Sequence, residues 1–194
     1  RLARYMTPFV PLLLLLIAGM LVAGARRIGD RRARMIFLTS STLLLVAEPL
    51  WSAIGHDRVA AQTDTRVLAS EWLGANLAGG TRVAVVGTEF WGYGEPAVPP
   101  GLQMTRSKLD AAALDATGAR YVVAHDHPLF SSRVDPEALL RLAPRLRLLA
   151  DFDPFIGPRE DALFEPADAY YVPTYGFAAV SRPGPEVRIY ELLP

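Results

Sequence analysis

Two histidines bracket an aspartate at His125-Asp126-His127, directly before Pro128, in a chain with few other groups suited to chemistry. If the residues before them form a strand, alternation by two turns both imidazoles to one face. The end of such a strand is the carboxyl edge of a sheet, where open α/β sheets bind ligands. Glu89 follows an earlier strand-like run and belongs to the same edge. Two imidazoles and a carboxylate suit zinc. However, H-E-x-x-H or a comparable spacing is missing, and Pro128 reads equally as a strand-ending turn, so no metal ligand is assigned. The expectation is a polar-ligand contact through Glu89, His125, Asp126 and His127, weighed against plain edge structure. Tyr170 and Tyr171 join that set because aromatic faces stack on sugar rings and also sit at membrane surfaces; covering the core is their other use.

Other chemistries find less support. The stretch 86–94, Val-Gly-Thr-Glu-Phe-Trp-Gly-Tyr-Gly, follows a strand as a dinucleotide loop does. Its first two glycines are five apart, and bulky side chains between them block close approach to a pyrophosphate. There is no G-x-S-x-G elbow and no cysteine, so acyl-enzyme and thiolate chemistry have no nucleophile of the usual kind. The pairs Asp151/Asp153 and Glu160/Asp161 read as solvated loop residues. Twenty basic and twenty acidic residues balance, so no basic field points to nucleic acid.

The strongest pattern concerns location. Two apolar segments, 5–25 and 35–54, flank a loop, 26–34, that holds Arg26, Arg27, Arg31, Arg32 and Arg34 against the single acid Asp30. About 20 apolar residues cross the hydrocarbon layer. The first segment qualifies, with Pro8 and Pro11 confined to its first turns. The second carries Thr39, Ser40, Ser41, Thr42 and Glu48, and predicts packing against further helices. Short arginine-rich loops stay in the cytoplasm. The expected arrangement is a transmembrane hairpin over 1–56 and an extracytoplasmic domain over 57–194, in the cytoplasmic (inner) membrane of a bacterium. Lys108 is the only lysine among twenty basic residues, which reads as GC-rich coding. The competing possibility is a cleavable signal peptide ending at Ala23-Gly24-Ala25. It turns the domain inward, against the charge rule. A two-helix hairpin opening on Arg1 is expected to be the tail of a larger membrane protein.

The remaining residues, about 138, suffice for one core. Thr63-Asp64 predicts a helix to residue 77, and Asp135-Pro136 another to 142. A further helix is read over 107–116, and strands over 82–86, 120–124 and 147–151. Strands alternating with helices predict a mostly parallel, three-layer, Rossmann-like sheet. Segments 177–181 and 186–192 flank Arg182-Pro183-Gly184-Pro185 and predict a C-terminal β-hairpin. The long aromatic loop 152–175 lies before it.

Taken together, the order of a last hydrophobic hairpin, then Asp64-Thr65-Arg66-x-x-Ala69-x-x-Trp72-Leu73-x-x-Asn76-Leu77, then Tyr121-Val122-Val123 and finally Arg182-Pro183-Gly184-Pro185-x-Val187-x-Ile189-Tyr190 resembles the C-terminal part of bacterial GT-C membrane glycosyltransferases, the PMT-like and ArnT-like class. The resemblance implies transfer of a sugar from a polyprenyl-phosphate donor to a glycan or lipid acceptor at the extracytoplasmic face, often aided by a divalent metal. It implies a partnership with further transmembrane helices and the bilayer. The essential acid of that family lies in its first extracytoplasmic loop, which has no counterpart here. No catalytic residue or cofactor is therefore expected in this chain, whose domain would cover the site and help select acceptors. The alternative is a membrane-tethered extracytoplasmic domain that binds a glycan or protein and catalyses nothing.

Overall fold

A computed structural model of the chain describes residues 9–87, 94–129, 132–165 and 171–194. The chain divides into two compact units, Arg1–Gly55 and His56–Pro194. The first is helical. Helix α1, Val10–Arg26, has Pro11 in its first turn, where a missing N–H costs least. Helix α2, Arg31–Ala60, begins at Asp30, whose Oδ2 accepts the Ala33 N–H at 2.6 Å. The one acid of the arginine turn is thus used as a cap. Arg34 folds back and donates to the Ile28 carbonyl at 2.9 Å.

Of the two expected spans, α2 is the one described helix long and apolar enough to cross a membrane. Its 30 residues rise about 45 Å. Helix α1 has 17 described residues, short of the expected 20 or so, and residues 1–8 lie outside the described set. Leu12, Leu13, Leu14, Leu15 and Leu16 are all more than half exposed, as is most of the apolar surface of α2. Glu48, one residue before the in-helix Pro49, accepts the Ser52 hydroxyl at 2.9 Å.

The second unit is a mixed sheet covered by helices. Asp64 caps α3, Thr65–Asn76, by accepting the Arg66 N–H at 2.8 Å. Strand β1, Arg82–Val86, pairs in parallel with β2, Gln103–Ser107, and with β3, Tyr121–Asp126. Helix α4, Ala111–Thr117, joins β2 to β3, and α5, Pro136–Leu142, joins β3 to β4, Leu146–Phe152. Strand β5, Glu186–Leu192, lies between β3 and β4 and is antiparallel to both, giving the order β2-β1-β3-β5-β4.

Alternate strand residues feed two cores. Val83, Val85, Val123, Val187 and Ile189 meet Ala69 and Leu73 of α3 on one face. Ala84, Val86, Val122 and Tyr190 meet Leu114 of α4 and Leu142 of α5 on the other. Helices therefore cover both faces.

Three expectations need correction. The sheet is mixed rather than mostly parallel, because β5 makes two antiparallel pairings. The C-terminal hairpin is absent: Phe177–Ala179 forms a 3-10 turn, and β5 pairs with strands far back in the chain. Pro183 and Pro185 remove two backbone donors that a hairpin would use. The helix read over 107–116 starts later, because Asp110 supplies the cap at 2.8 Å and residues 103–107 become an edge strand.

The Arg182–Pro185 segment has a different task. Thr65 donates its N–H to the Pro183 carbonyl at 3.0 Å and its hydroxyl to the Pro185 carbonyl at 2.6 Å. Gly184 between them has φ +110°, and a Cβ there would lie 2.6 Å from the Asp64 carboxylate. Only glycine combines that backbone with that approach. Two segments that carry the family resemblance, Asp64-Thr65-Arg66 and Pro183-Gly184-Pro185, are thus pinned to one another.

Candidate functional site

Strands β1 and β3 end, and β5 begins, at one edge of the sheet. His125 lies in the last turn of the pleat of β3, opposite Val187, and His127 follows just past the strand. Both are almost wholly buried. The His125 ring is enclosed where Gly87 and Gly94 pass close to it; a methyl group at either glycine would overlap the imidazole. Its Nδ1 has no hydrogen-bond partner among the described residues. Burial pushes His125 down to about 4, against the pull of Glu95 and Asp126, with Arg66 adding to the fall. The ring is therefore neutral at pH 7.

His127 is held differently. Its Nδ1 accepts the Leu129 N–H at 3.1 Å, which leaves the proton on Nε2. That nitrogen has no described hydrogen-bond partner, and the ring sits among Phe164, Tyr171 and Phe155 with centroids 4.4, 4.9 and 5.5 Å away. Burial first, then Arg159 and Arg66, bring it down to about 3. Such surroundings make His127 part of an aromatic cluster rather than a ligand.

Tyr171 closes this cluster. It is fully buried, with its hydroxyl bonded to Ser132 and Arg66 over its ring at 4.9 Å. It is also the one described non-glycine residue at positive φ, 56°. A bulky residue keeps that conformation only where its contacts fix it. Arg66 lies flat because it grips Asp64 through Nε at 2.9 Å and Nη2 at 2.6 Å. Burial works against its charge, yet the Asp64 bond and Tyr171 hold it above the ordinary guanidinium value.

Asp126 points to the opposite face, away from both imidazoles. It accepts from Arg159 at 2.8 Å and from the Val134 N–H at 3.3 Å. There Glu186, buried at the start of β5, bonds both Arg159 and Arg188. Burial pushes the Glu186 carboxyl up, and the two guanidiniums pull against it. Asp151, expected as a solvated loop residue, ends β4 3.6 Å from Arg188 and is raised by partial burial. A cavity of about 80 Å³ beside this network, bounded by Ala124, Val134 and Leu139, is too small for a sugar.

An open groove lies beside the first cluster. Asp64, Arg66, Ser70, Glu71, Glu95 and Ala97 line about 360 Å³ between the start of α3 and the loop before β2. Glu95 is anchored by Arg106 at 2.7 and 2.8 Å. Carboxylate oxygens, a planar guanidinium and a hydroxyl on rigid supports offer hydrogen bonds to a polyhydroxylated molecule, and the volume is of ligand size.

The sequence-derived set is thus divided. His125, His127 and Tyr171 share a closed cluster, Asp126 belongs to an ion network, and Glu89 and Tyr170 fall outside the described residues. Among the described residues no three His, Asp or Glu side chains gather as a metal-holding group. Arg66, Ser132, Glu95, Arg159 and Glu186 were not singled out. Glu186 had a signal: a carboxylate in the inward register of a β-branched strand requires a buried cation. Searches with the chain found no matching family model, no matching curated protein and no matching solved structure.

Proposed function

We propose that the chain is the C-terminal part of an integral-membrane glycosyltransferase of the GT-C class, and that its second unit is a non-catalytic extracytoplasmic domain that covers the membrane-level site and selects acceptors. The carrying observation is α2, whose apolar stretch follows an arginine-rich turn and ends near Ile54, while the helix itself continues to Ala60. Exposed leucines along α1 and α2 support burial in lipid and among further helices, since so much apolar surface is unstable in water. The second span rests on the apolar run of residues 5–25, which α1, Val10–Arg26, covers from residue 10, and the donor lipid rests on the resemblance. Any metal the transferase uses is held by residues outside this chain.

The orientation has a direct test. These 194 residues contain no cysteine, so single substitutions report cleanly once any cysteine elsewhere in the full protein is replaced. In cells with a permeabilised outer membrane, a membrane-impermeant thiol reagent is expected to label Ala75→Cys and to spare Gly29→Cys in the arginine turn. The reverse pattern overturns the assignment.

The groove supports acceptor selection. In membranes supplied with a polyprenyl-phosphate sugar, Glu71→Gln in the full transferase is expected to raise acceptor KM about three- to tenfold, the cost of one hydrogen bond, with kcat unchanged. An unchanged KM removes the groove from recognition. The same groove favours a second reading, a tethered binding domain with no catalysis; complete lack of sugar transfer by the full protein would select it.

A further inference from the structure

Charge is unevenly divided over the second unit. Residues 56–194 carry eighteen acidic and thirteen basic side chains, yet the edge of the sheet opposite His125 is positive. Strands β1, β3 and β4 begin at that edge and β5 ends there. Arg82 opens β1, and Arg120 immediately precedes β3; the residues after them, Val83 and Tyr121, are partners in the parallel ladder. Arg147 of β4 pairs across with Glu191 of β5. Glu191 is buried and accepts from Arg120 at 2.9 Å and from Arg147. On the same edge Arg145 and Asp115 neutralise one another at 2.7 Å.

Arg82, Arg120 and Arg147 thus have one carboxylate between them. Arg120 and Arg147 remain 71 % and 63 % exposed. Arg82 is exposed, and among the described residues it has no hydrogen-bond or ion-pair partner. Its Nη1 lies at the turn that ends α4, 2.9 Å from where a Cβ on Gly118 would stand. A strand spacing of about 4.8 Å sets β1 and β4, three spacings apart in the order β1-β3-β5-β4, about 14 Å from one another along this edge. Guanidinium forks bind the paired oxygens of carboxylates and phosphates. The acidic excess of the rest of the unit repels such groups and leaves this rim as their point of approach.

We infer that Arg82, Arg120 and Arg147 form a binding rim for a linear anionic glycan, one whose carboxylate or phosphate groups recur along its length. A row of cations along a sheet edge matches a polymer laid across the strand ends, whereas a single small anion meets only part of it. The rim lies at the other edge of the sheet from Glu95 and is separate from the groove. That the polymer is a sugar rests on the proposed acceptor; that it is anionic rests on the rim alone.

Titration of the detergent-solubilised full chain with polygalacturonate at low salt provides the test. Dextran serves as the neutral polymer and polyglutamate as a polyanion without sugar. The wild type is expected to bind polygalacturonate and to ignore dextran. Arg82→Gln/Arg147→Gln is expected to weaken polygalacturonate binding at least about fivefold, the factor that one exposed ion pair can supply. Its Tm should stay unchanged, because Arg82 bonds no described residue and Glu191 keeps Arg120. Arg31→Gln/Arg32→Gln, in the other basic segment, is expected to alter binding by less than about twofold. No binding by the wild type, equal affinity in the rim variant, or a loss confined to the turn variant overturns the rim. Polyglutamate held as tightly as polygalacturonate, with the same dependence on Arg82, overturns the glycan and assigns the rim to an acidic polypeptide. Binding is read without sugar transfer, so failure of the transferase reading appears in the transfer assay and failure of the rim appears here.

Discussion

Lowering the pH from 6.5 to 4 is expected to remove about 6 kcal/mol of stability from the α/β unit through two histidines. Burial holds His125 down to about 4 and His127 to about 3, against about 6.5 in an unfolded chain. The unfolded chain takes up these protons first, so it binds more of them throughout that interval. Stability is then whole above pH 6.5 and falls as pH drops. Each unit of pH costs about 1.4 kcal/mol per histidine, or roughly 3 kcal/mol each by pH 4. A domain stable by about 5–15 kcal/mol would be near its unfolding point. Charged groups act on both rings: Glu95 and Arg66 on His125, with Asp126 from the opposite face, and Arg159 and Arg66 on His127. Glu186 works in the opposite sense. Its carboxyl is raised, so its contribution is present at low pH and is lost as pH climbs through the raised value. Hydrogen exchange of the β5 amides in the detergent-solubilised full chain, followed against pH, reads the slope. His127→Phe, which suits the aromatic surroundings, should about halve the slope at a fixed cost near 1 kcal/mol for the lost Leu129 acceptor. A slope unaltered by that substitution would place the titrating groups elsewhere.

Gly94→Ala is expected to cost about 3 kcal/mol. The added methyl would overlap both the His125 ring and the Ser132 hydroxyl, which are buried and cannot swing into solvent. Overpacking a closed site costs about 1–3 kcal/mol, and this one sits at the upper end because Tyr171 fixes Ser132 from the other side. The diagnosis has an internal check. In a His125→Ala, Ser132→Ala background both overlaps vanish, so Gly94→Ala should then cost below about 1 kcal/mol. Equal costs in both backgrounds would mean that the glycine serves its backbone alone.

Local signals carried much of the second unit. Asp64 and Asp135 cap helices through their side chains where the sequence placed helix starts, and β1 and β3 carry the valine-rich runs read as strands. What escaped is non-local. Strand β2 reads Gln-Met-Thr-Arg-Ser, an exposed edge with no apolar alternation to mark it. The place of β5 is set by pairings with Tyr121 and Leu146, 70 and 46 residues back along the register, which no nearby pattern encodes. The candidate site divides the same way. Alternation puts Asp126 on the face opposite the imidazoles, although all three were expected in one contact, and the groove depends on Arg66 and Glu95 coming together across the edge. The aromatic surroundings of His127 come from Phe155, Phe164 and Tyr171, 28 to 44 residues downstream.

The pin between Thr65 and the Pro183–Pro185 segment joins positions 120 residues apart by direct hydrogen bonds. Mechanically it sets a load path. A pull along the backbone that reaches the head of α3 has a direct route to β5, the strand gripped on both sides, beside the route through Val59 and the segment it packs on. Force entering at the head of α3 would thus reach the one strand paired on both sides among β3, β5 and β4, and would pass by Asp64 and Arg66, which also line the groove.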